Sequence, residues 1–401
     1  PCPPHVCIGK GGQVRRREAG TGMLNVLSTI MKSAGIGFSS GHNARYGLRE
    51  WLAILVEMCS QSLTAESAVR NLGNTRAAPS EKWFRDMMNT ISRDGAEAVC
   101  GMMVRRTVRL AKRRGMGRAG NVLVAIDKHL IGRFDRDNME HLVYSAWKKG
   151  TNKFEAYATV QVVAEPVNAV LDCVRVTRGS SDVDFVRKFV QTLCGYKIRA
   201  RLILLDREFY SVDVMNALSA SGNRYLMPAM KNSGIKRAIT EYHHGLRNSA
   251  SWYVVKNGAG RHERFVLIIR PAARHDDDDK RKKDGRAREI TDDYIAFATN
   301  LPMSRAQLGI LTLPEEYRRR WGIETAYRQI EEVRPWTTSR SATFRMILFF
   351  ASLFMYNMWA TEHARKGTNP REATLKALAY SAALLAACNI IERPFDPGGS
   401  G

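Results

Sequence analysis

Residues 121–127 read NVLVAID, a short β-branched and aliphatic run that ends in an acid. A run of this length, closed by a carboxylate, has the pattern of a buried strand. Residues 201–206, RLILLD, repeat it. Two more strand candidates, FEAYATVQVVA (154–164) and AVLDCVRV (169–176), and a helical segment, DVDFVRKFVQTLC (182–194), lie between them. A helix, SVDVMNALSAS (211–221), and a strand, RYLMPAM (224–230), follow. The order β, β, β, α, β, α, β predicts an α/β fold built on a mixed sheet, in which three strands in meander precede parallel crossovers. Side chains at the carboxyl ends of strands leave the sheet and face a cleft, where open α/β sheets place ligands. Asp127 or Asp206 alone reads as an acid that opens a loop. Both on neighbouring strands, with Glu324 on a helix packed across the sheet, read as a site.

Toward the N-terminus the period changes. LREWLAILVEMCSQSL, EKWFRDMMNTIS and GAEAVCGMMVRRTVRLAKRRG carry apolar residues at three- and four-residue spacing, which predicts a small helical domain. Its last helix is basic, with Arg105, Arg106, Arg109, Lys112, Arg113, Arg114 and Arg118 and no acid among them. Such a run is either a solvated face or a phosphate-contacting surface. The opening PCPPHVCIGKGGQVRRREAGTG lacks the apolar core of a signal peptide. Its Cys2, His5 and Cys7 lack the second half of a zinc site.

Toward the C-terminus, residues 231–310 hold the strand candidates SWYVVKN, ERFVLIIRP and YIAFATN around the charge block RHDDDDKRKKDGRARE, read as a solvated loop. A helix is expected from Pro314, with Glu315 and Glu316 favoured in its first turn, to just before Pro335. Residues 341–365 and 370–391 read as two apolar helices. MILFFASLFMY (346–356) is too short for a membrane span and is expected to be buried. The expected division is therefore a flexible basic tail (1–44), a helical DNA-binding domain (45–118), the first part of the α/β domain (119–230), a β-rich insertion (231–310), the helix of the third acid (311–345), and C-terminal helices with a tail (346–401).

A chain of 401 residues with 44% apolar content can bury a large core. Its 62 Lys and Arg against 39 Asp and Glu leave a net charge of +23, which favours a polyanionic partner such as nucleic acid. The seven cysteines are scattered, with no repeated CxxC, and fit a reducing intracellular setting better than a disulfide framework.

The stretch Tyr317 to Pro335, YRRRWGIETAYRQIEEVRP, interleaves bulky apolar residues with arginines and glutamates. On one helix Tyr317, Arg320, Glu324 and Arg328 form a single polar stripe beside Ile323, Tyr327 and Ile330. Glu324 then reads either as a surface ion-pair partner of Arg320 and Arg328 or as a third acid beside Asp127 and Asp206. Three such acids make an oxygen-lined site for two hard divalent cations. Mg2+ suits that site, and Mn2+ is an alternative. Two metals about 3.5–4 Å apart activate a water and stabilise the leaving oxygen of a phosphodiester. A basic protein with such a site is a candidate nuclease or DNA-strand transferase.

From residue 45 to about 365 the chain resembles the DDE transposases of bacterial and archaeal insertion sequences. It is similar to the group whose ribonuclease H-like catalytic domain is interrupted by a β-strand insertion before the last acid. That group carries Tyr-x2-Arg-x3-Glu-x6-Lys, and Tyr317, Arg320 and Glu324 fill the first three places at the same spacing. Glu331 stands in the fourth, where Arg328 and Arg334 are the nearest cations. The run DREFY (206–210) matches an Asp-Arg-Gly-Phe pattern except at Glu208, and WKKGTNKFEAYATVQVV resembles a Lys-Gly-Thr plus strand pattern after the first acid. The resemblance implies that Asp127, Asp206 and Glu324 are catalytic and hold the metals. It also implies that Tyr317 and Arg320 grip phosphate at the DNA end, with backbone contacts from Lys148, Lys149 and Lys153. Double-stranded DNA as partner, a homodimer bridging two ends, a cytoplasmic nucleoid location and no membrane association follow from it. Trp252 reads as a core residue or as a base-stacking one, and His129 as structural or site-adjacent. An inactive DNA-binding relic, a nuclease of the same fold that joins nothing, and a purely structural basic protein are the competing readings.

Overall fold

The computed structural model describes residues 23–33, 46–72, 79–117, 121–134, 141–148, 150–163, 167–272, 289–366, 375–376 and 379. Two compact units emerge. One comprises residues 117–165 with 171–324, the other residues 1–116 with 166–170 and 325–401.

Among the described residues, nine strands, nearly all of them in the first unit, form one mixed sheet: β1 (Val122–Arg133), β2 (Val143–Lys148), β3 (Thr151–Val163), β4 (Val170–Val176), β5 (Ala200–Leu205), β6 (Tyr225–Pro228), β7 (Ala250–Lys256), β8 (His262–Pro271) and β9 (Tyr294–Thr299). Their order is β2-β3-β1-β5-β6-β9-β8-β7, with β4 also pairing β3. Only β1–β5 and β5–β6 are parallel among the registers between successive neighbours; β1–β3, β2–β3, β6–β9, β8–β9 and β7–β8 are antiparallel. Parallel neighbours need crossovers, and two helices supply them: α6 (Asp182–Gly195) leads into β5 and α7 (Val212–Ala220) joins β5 to β6. Gly222, at φ +70, ends α7 with Asn223 N donating to Leu218 O, a left-handed stop open to glycine. The central strands are the most buried: Val122 to Ile126 of β1 and Leu202 to Leu205 of β5 form the floor of the core. The stretch 231–310 supplies α8 (Ser233–His243), β7, β8, β9 and α9 (Met303–Leu308), and its strands continue the central sheet through the β6–β9 pair.

In the second unit the described helices are α1 (residues 23–33), α2 (Leu48–Gln61), α3 (Ala65–Leu72), α4 (Glu81–Thr90), α5 (Arg93–Arg113) and α12 (Ala342–Lys366). Ser80 and Ser92 cap α4 and α5, their hydroxyls accepting from Trp83 N and Gly95 N at 3.1 Å each. Helix α12 packs along α5 and α2, and Phe344 meets Phe84 edge-on beside the Trp51–Phe84 stack. Buried Asn357 of α12 accepts from Val170 N and donates to Val170 O and to Thr107 Oγ1, at 2.9, 2.9 and 3.0 Å. MILFFASLFMY lies within α12 and is buried, and no described helix is long and apolar enough to cross a membrane.

Four sequence expectations change. Residues 23–33, assigned to a flexible tail, form α1 with Met23, Leu27, Ile30 and Met31 fully buried; each such side chain contributes roughly 1.5–3 kcal/mol. Strand β1 does not stop at Asp127 but runs on to Arg133, because β3 stays in register with it from Leu123↔Val163 to Arg133↔Lys153. The expected single helix from Pro314 is two, α10 (Leu313–Arg318) and α11 (Trp321–Glu332). Between them the backbone tightens, with Arg320 N donating to Tyr317 O and Ile323 N to Arg320 O, both at 2.9 Å. Strand β2, α3 and α8 are additional elements. The charge block 274–289 apart from Glu289, the opening cysteine cluster and most of 370–391 lie outside the described residues.

Candidate active site

The register of the parallel β1–β5 pair, Ile126↔Leu205, carries both chains to the same level just before their acids. Strand β5 ends there, and Asp206 caps the 3-10 turn Arg207–Phe209, its Oδ1 accepting from Arg207 N at 2.7 Å. Strand β1 continues, so Asp127 stands beside the end of β5 at the mouth of the sheet. Its Oδ1 accepts from Lys128 N at 2.8 Å.

The tightened backbone between α10 and α11 brings a cation to these acids. Arg320 Nη1 donates to Asp127 Oδ2 at 3.0 Å and Nη2 to Glu324 Oε1 at 2.6 Å. One planar guanidinium therefore spans two carboxylates, a geometry that lysine cannot reproduce. The Arg320 and Asp127 side chains are 8% and 14% exposed, whereas Glu324 is 48% exposed, so the bridge runs from the interior to the surface. The Arg320 cation lies 5.6 Å from the Tyr317 ring centre, and that ring meets Phe297 of β9 edge-on at 5.2 Å. The turn sits close to the sheet at Gly322, where an added Cβ would lie 3.4 Å from Val163 of β3.

The electrostatics follow from this burial. Desolvation pushes the Asp127 carboxyl from 3.8 to about 6, against the pull of Arg320 and the Lys128 N–H, with repulsion from Asp206 and Glu324 adding to the rise. Burial likewise raises the Tyr317 hydroxyl, keeping it protonated and able to donate. Burial opposes the Arg320 charge, but Tyr317 and the carboxylates of Asp127, Asp206 and Glu324 outweigh it and raise its pKa. Arg320 Nε is buried without an acceptor among the described residues.

Hard carboxylate oxygens that repel one another suit a divalent cation. The described residues contain no group of three His, Cys, Asp or Glu side chains already gathered as a metal cluster. The Arg320 guanidinium lies, as a cation, between Asp127 and Glu324. The carboxylate donor set fits a hard divalent metal by its chemistry.

The remaining expected residues are placed as follows. Arg328 is exposed on α11, its Nη2 3.4 Å from Thr325 Oγ1. Glu331 accepts from Arg334 Nε at 2.7 Å, so these neighbours neutralise each other. Lys148 is exposed at the end of β2, Lys153 is half-buried on β3, and Lys149 and Arg118 lie outside the described residues. On α5, Arg105, Arg106, Arg109 and Arg113 are exposed and Lys112 is half-buried, in the other unit from the acids. Trp252 is 46% exposed on β7 with the Arg264 guanidinium 4.2 Å over its ring, so it is not a core residue. His129 pairs opposite Tyr157 on the β1–β3 ladder.

Sequence reasoning missed two features. Arg320 was read as a DNA contact on Glu324's stripe, and its bond to Asp127, 193 residues away, has no local signal. Lys128 was passed over, although it follows Asp127 directly. Its Nζ lies 3.0 Å from Asp182 Oδ1 and 3.5 Å from Glu208 Oε2.

A profile of the family described as "Transposase DDE domain" matches residues 118–358. A search of curated proteins finds no match. Among solved structures, the piggyBac transposase synaptic complex with hairpin DNA is similar at a TM-score of 0.57 and 10% identity, over 98% of this chain and 84% of that one. At that identity the likeness concerns fold.

Proposed function

Because this chain belongs to the family of transposases with a DDE domain, we propose that Asp127, Asp206 and Glu324 are the three acids of its catalytic site. The protein is a transposase, an enzyme that cuts DNA and transfers strands. The observation that carries the site assignment is the Arg320 guanidinium bridging Asp127 and Glu324 at the level where Asp206 leaves the neighbouring strand.

Enzymes of this family use divalent metals, and two Mg2+ ions, replaceable by Mn2+, fit the oxygen donors best. A bound ion supplies Lewis-acid activation of the attacking oxygen and stabilisation of the leaving one. Asp127, Asp206 and Glu324 would hold it. Tyr317, kept protonated by burial, donates to a phosphate oxygen at the DNA end. Arg320 moves from its carboxylate bridge to the same phosphate, where its unpartnered Nε becomes a further donor. Exposed Lys148 and the basic face of α5, from Arg105 to Arg113, carry backbone contacts that position the duplex.

The same reading makes the sheet unit a ribonuclease H-like domain, with the strands of 231–310 as the insertion of the group bearing the Tyr-Arg-Glu signature. Joining two element ends calls for a homodimer, and DNA in a prokaryotic nucleoid is the setting that fits the charge. Supercoiled donor DNA carrying the element ends, incubated with Mg2+, tests the assignment. Cleavage and strand joining are expected from the wild type. Asp127→Ala, Asp206→Ala and Glu324→Ala should each lower both by more than about 100-fold, the upper end of what a merely supporting group costs. Variants that cut and join as well as the wild type would overturn it.

A further inference from the structure

Glu208 lies two residues beyond Asp206, in the 3-10 turn that Asp206 caps, and its side chain is 57% exposed. A carboxylate so close to a metal-binding acid is itself a hard-oxygen ligand, able to draw a divalent cation out of place. Lys128 faces it. The Lys128 ammonium lies 3.5 Å from Glu208 Oε2, 3.0 and 3.2 Å from the two Asp182 carboxylate oxygens, and 5.2 Å from the Phe209 ring centre. The Lys128 side chain is only 18% exposed, and Asp182, in the first turn of α6, holds it with the shorter bonds. An ammonium shared by two carboxylates is already neutralised, so this lysine is badly placed to grip a phosphate. Its backbone N–H meanwhile orients Asp127. One residue thus touches both sides of the acid pair, the Asp127 carboxylate through its main chain and the Asp206 turn through its side chain.

We propose that Lys128 is a positioning residue that keeps Glu208 out of the metal-binding place formed by Asp127, Asp206 and Glu324, and so sets how strongly that place takes a divalent cation. Asp182 fixes the lysine, and the lysine fixes Glu208. The inference rests on the assignment of the three acids made above.

The test is Mn2+ binding to the full chain, followed by electron paramagnetic resonance without DNA, in the wild type, Lys128→Met, Lys128→Arg, Glu208→Gln and the double variant Lys128→Met/Glu208→Gln. Freeing Glu208 adds an unpaired negative charge beside the site, so Lys128→Met should bind Mn2+ about tenfold more tightly, the scale on which supporting residues act on metal sites. In parallel, its cleavage of the Mg2+-loaded donor should fall. The double variant should return both properties to within about twofold of the wild type, and Lys128→Arg should stay there throughout. A lysine serving only as a structural tie predicts the opposite: weaker Mn2+ binding in Lys128→Met and no recovery in the double variant. Either of those results, or unchanged binding in Lys128→Met, overturns the proposal. Asp127→Ala separates the two levels of the argument. If it leaves Mn2+ binding intact, the acid assignment itself fails; if it abolishes binding while the lysine variants behave as a tie, only the role of Lys128 does.

Discussion

Arg320 is the residue that ties two distant stretches of the chain together. Its two terminal nitrogens engage Asp127 and Glu324, and shortening that fork to a lysine leaves at most one bond. Arg320→Lys should therefore lower strand cleavage about 10- to 100-fold in steady-state assays with its fold intact, whereas wild-type rates would show that the fork is dispensable. Asp127 gives a second handle. Its carboxyl is raised from 3.8 to about 6, so folding favours the protonated form. Its contribution to stability is full below about pH 4 and is lost as pH rises through 6, a change of about 3 kcal/mol in metal-free protein. Metal-free Asp127→Asn should accordingly melt above the wild type at pH 7 and level with it at pH 4; a lower melting point at pH 7 contradicts the buried-charge account. The placement of both aspartates at one level of neighbouring strands was legible in the sequence, because each follows a short aliphatic run. The Arg320–Asp127 bond was not, since it depends on how a turn near residue 320 meets a strand some 200 residues earlier.

At the scale of elements, the chain from Leu313 to Glu332 forms two helices, α10 and α11, and not one. In the tightened turn from Tyr317 to Ile323, Arg320 reaches Asp127 of β1, while Glu324 lies in the first turn of the next helix. A Cβ added at Gly322 would meet Val163 at 3.4 Å, an ordinary contact that leaves room for a methyl but not for a larger side chain. Gly322→Ala should be tolerated or stabilising by up to about 1 kcal/mol, whereas Gly322→Leu should cost about 1–3 kcal/mol through overpacking. Urea unfolding of the two variants checks this, and equal behaviour would mean that the approach is not tight. The sequence showed one helix here because, after Pro314 opens it, apolar spacing runs on to residue 330 without a further proline or a cap to mark the break. Strand β2 escaped for a related reason: from Tyr144 to Lys148 it advances four residues (148 − 144) against two on β3 (153 − 151), and that bulge erases the alternation of a strand. Helix α8 buries only Ile235, Ala238 and Ile239, too narrow a stripe to stand out.

At the scale of the whole molecule, the net charge of +23 and the family membership point the same way, to DNA. Each cation that neutralises a phosphate adds roughly 0.9 to the slope of log affinity against log salt. Replacing exposed Arg105, Arg106 and Arg109 together by Ala should reduce that slope by about 2–3 in titrations with duplex DNA, and an unchanged slope removes α5 from the interface. The mixed sheet and its parallel crossovers were readable from the strand and helix order alone. The extension of that sheet by β7 to β9 was not, because pairing between β6 and β9 joins residues some 70 positions apart. The claim on which the account stands is that Asp127, Asp206 and Glu324 gather around one divalent-cation site. Fe2+ substituted for Mg2+, with ascorbate and peroxide, generates radicals that cut the backbone beside the bound ion. The account predicts cuts clustered around residues 127, 206 and 324, all suppressed by excess Mg2+; cleavage that misses any one of the three, or that Mg2+ does not suppress, would contradict it.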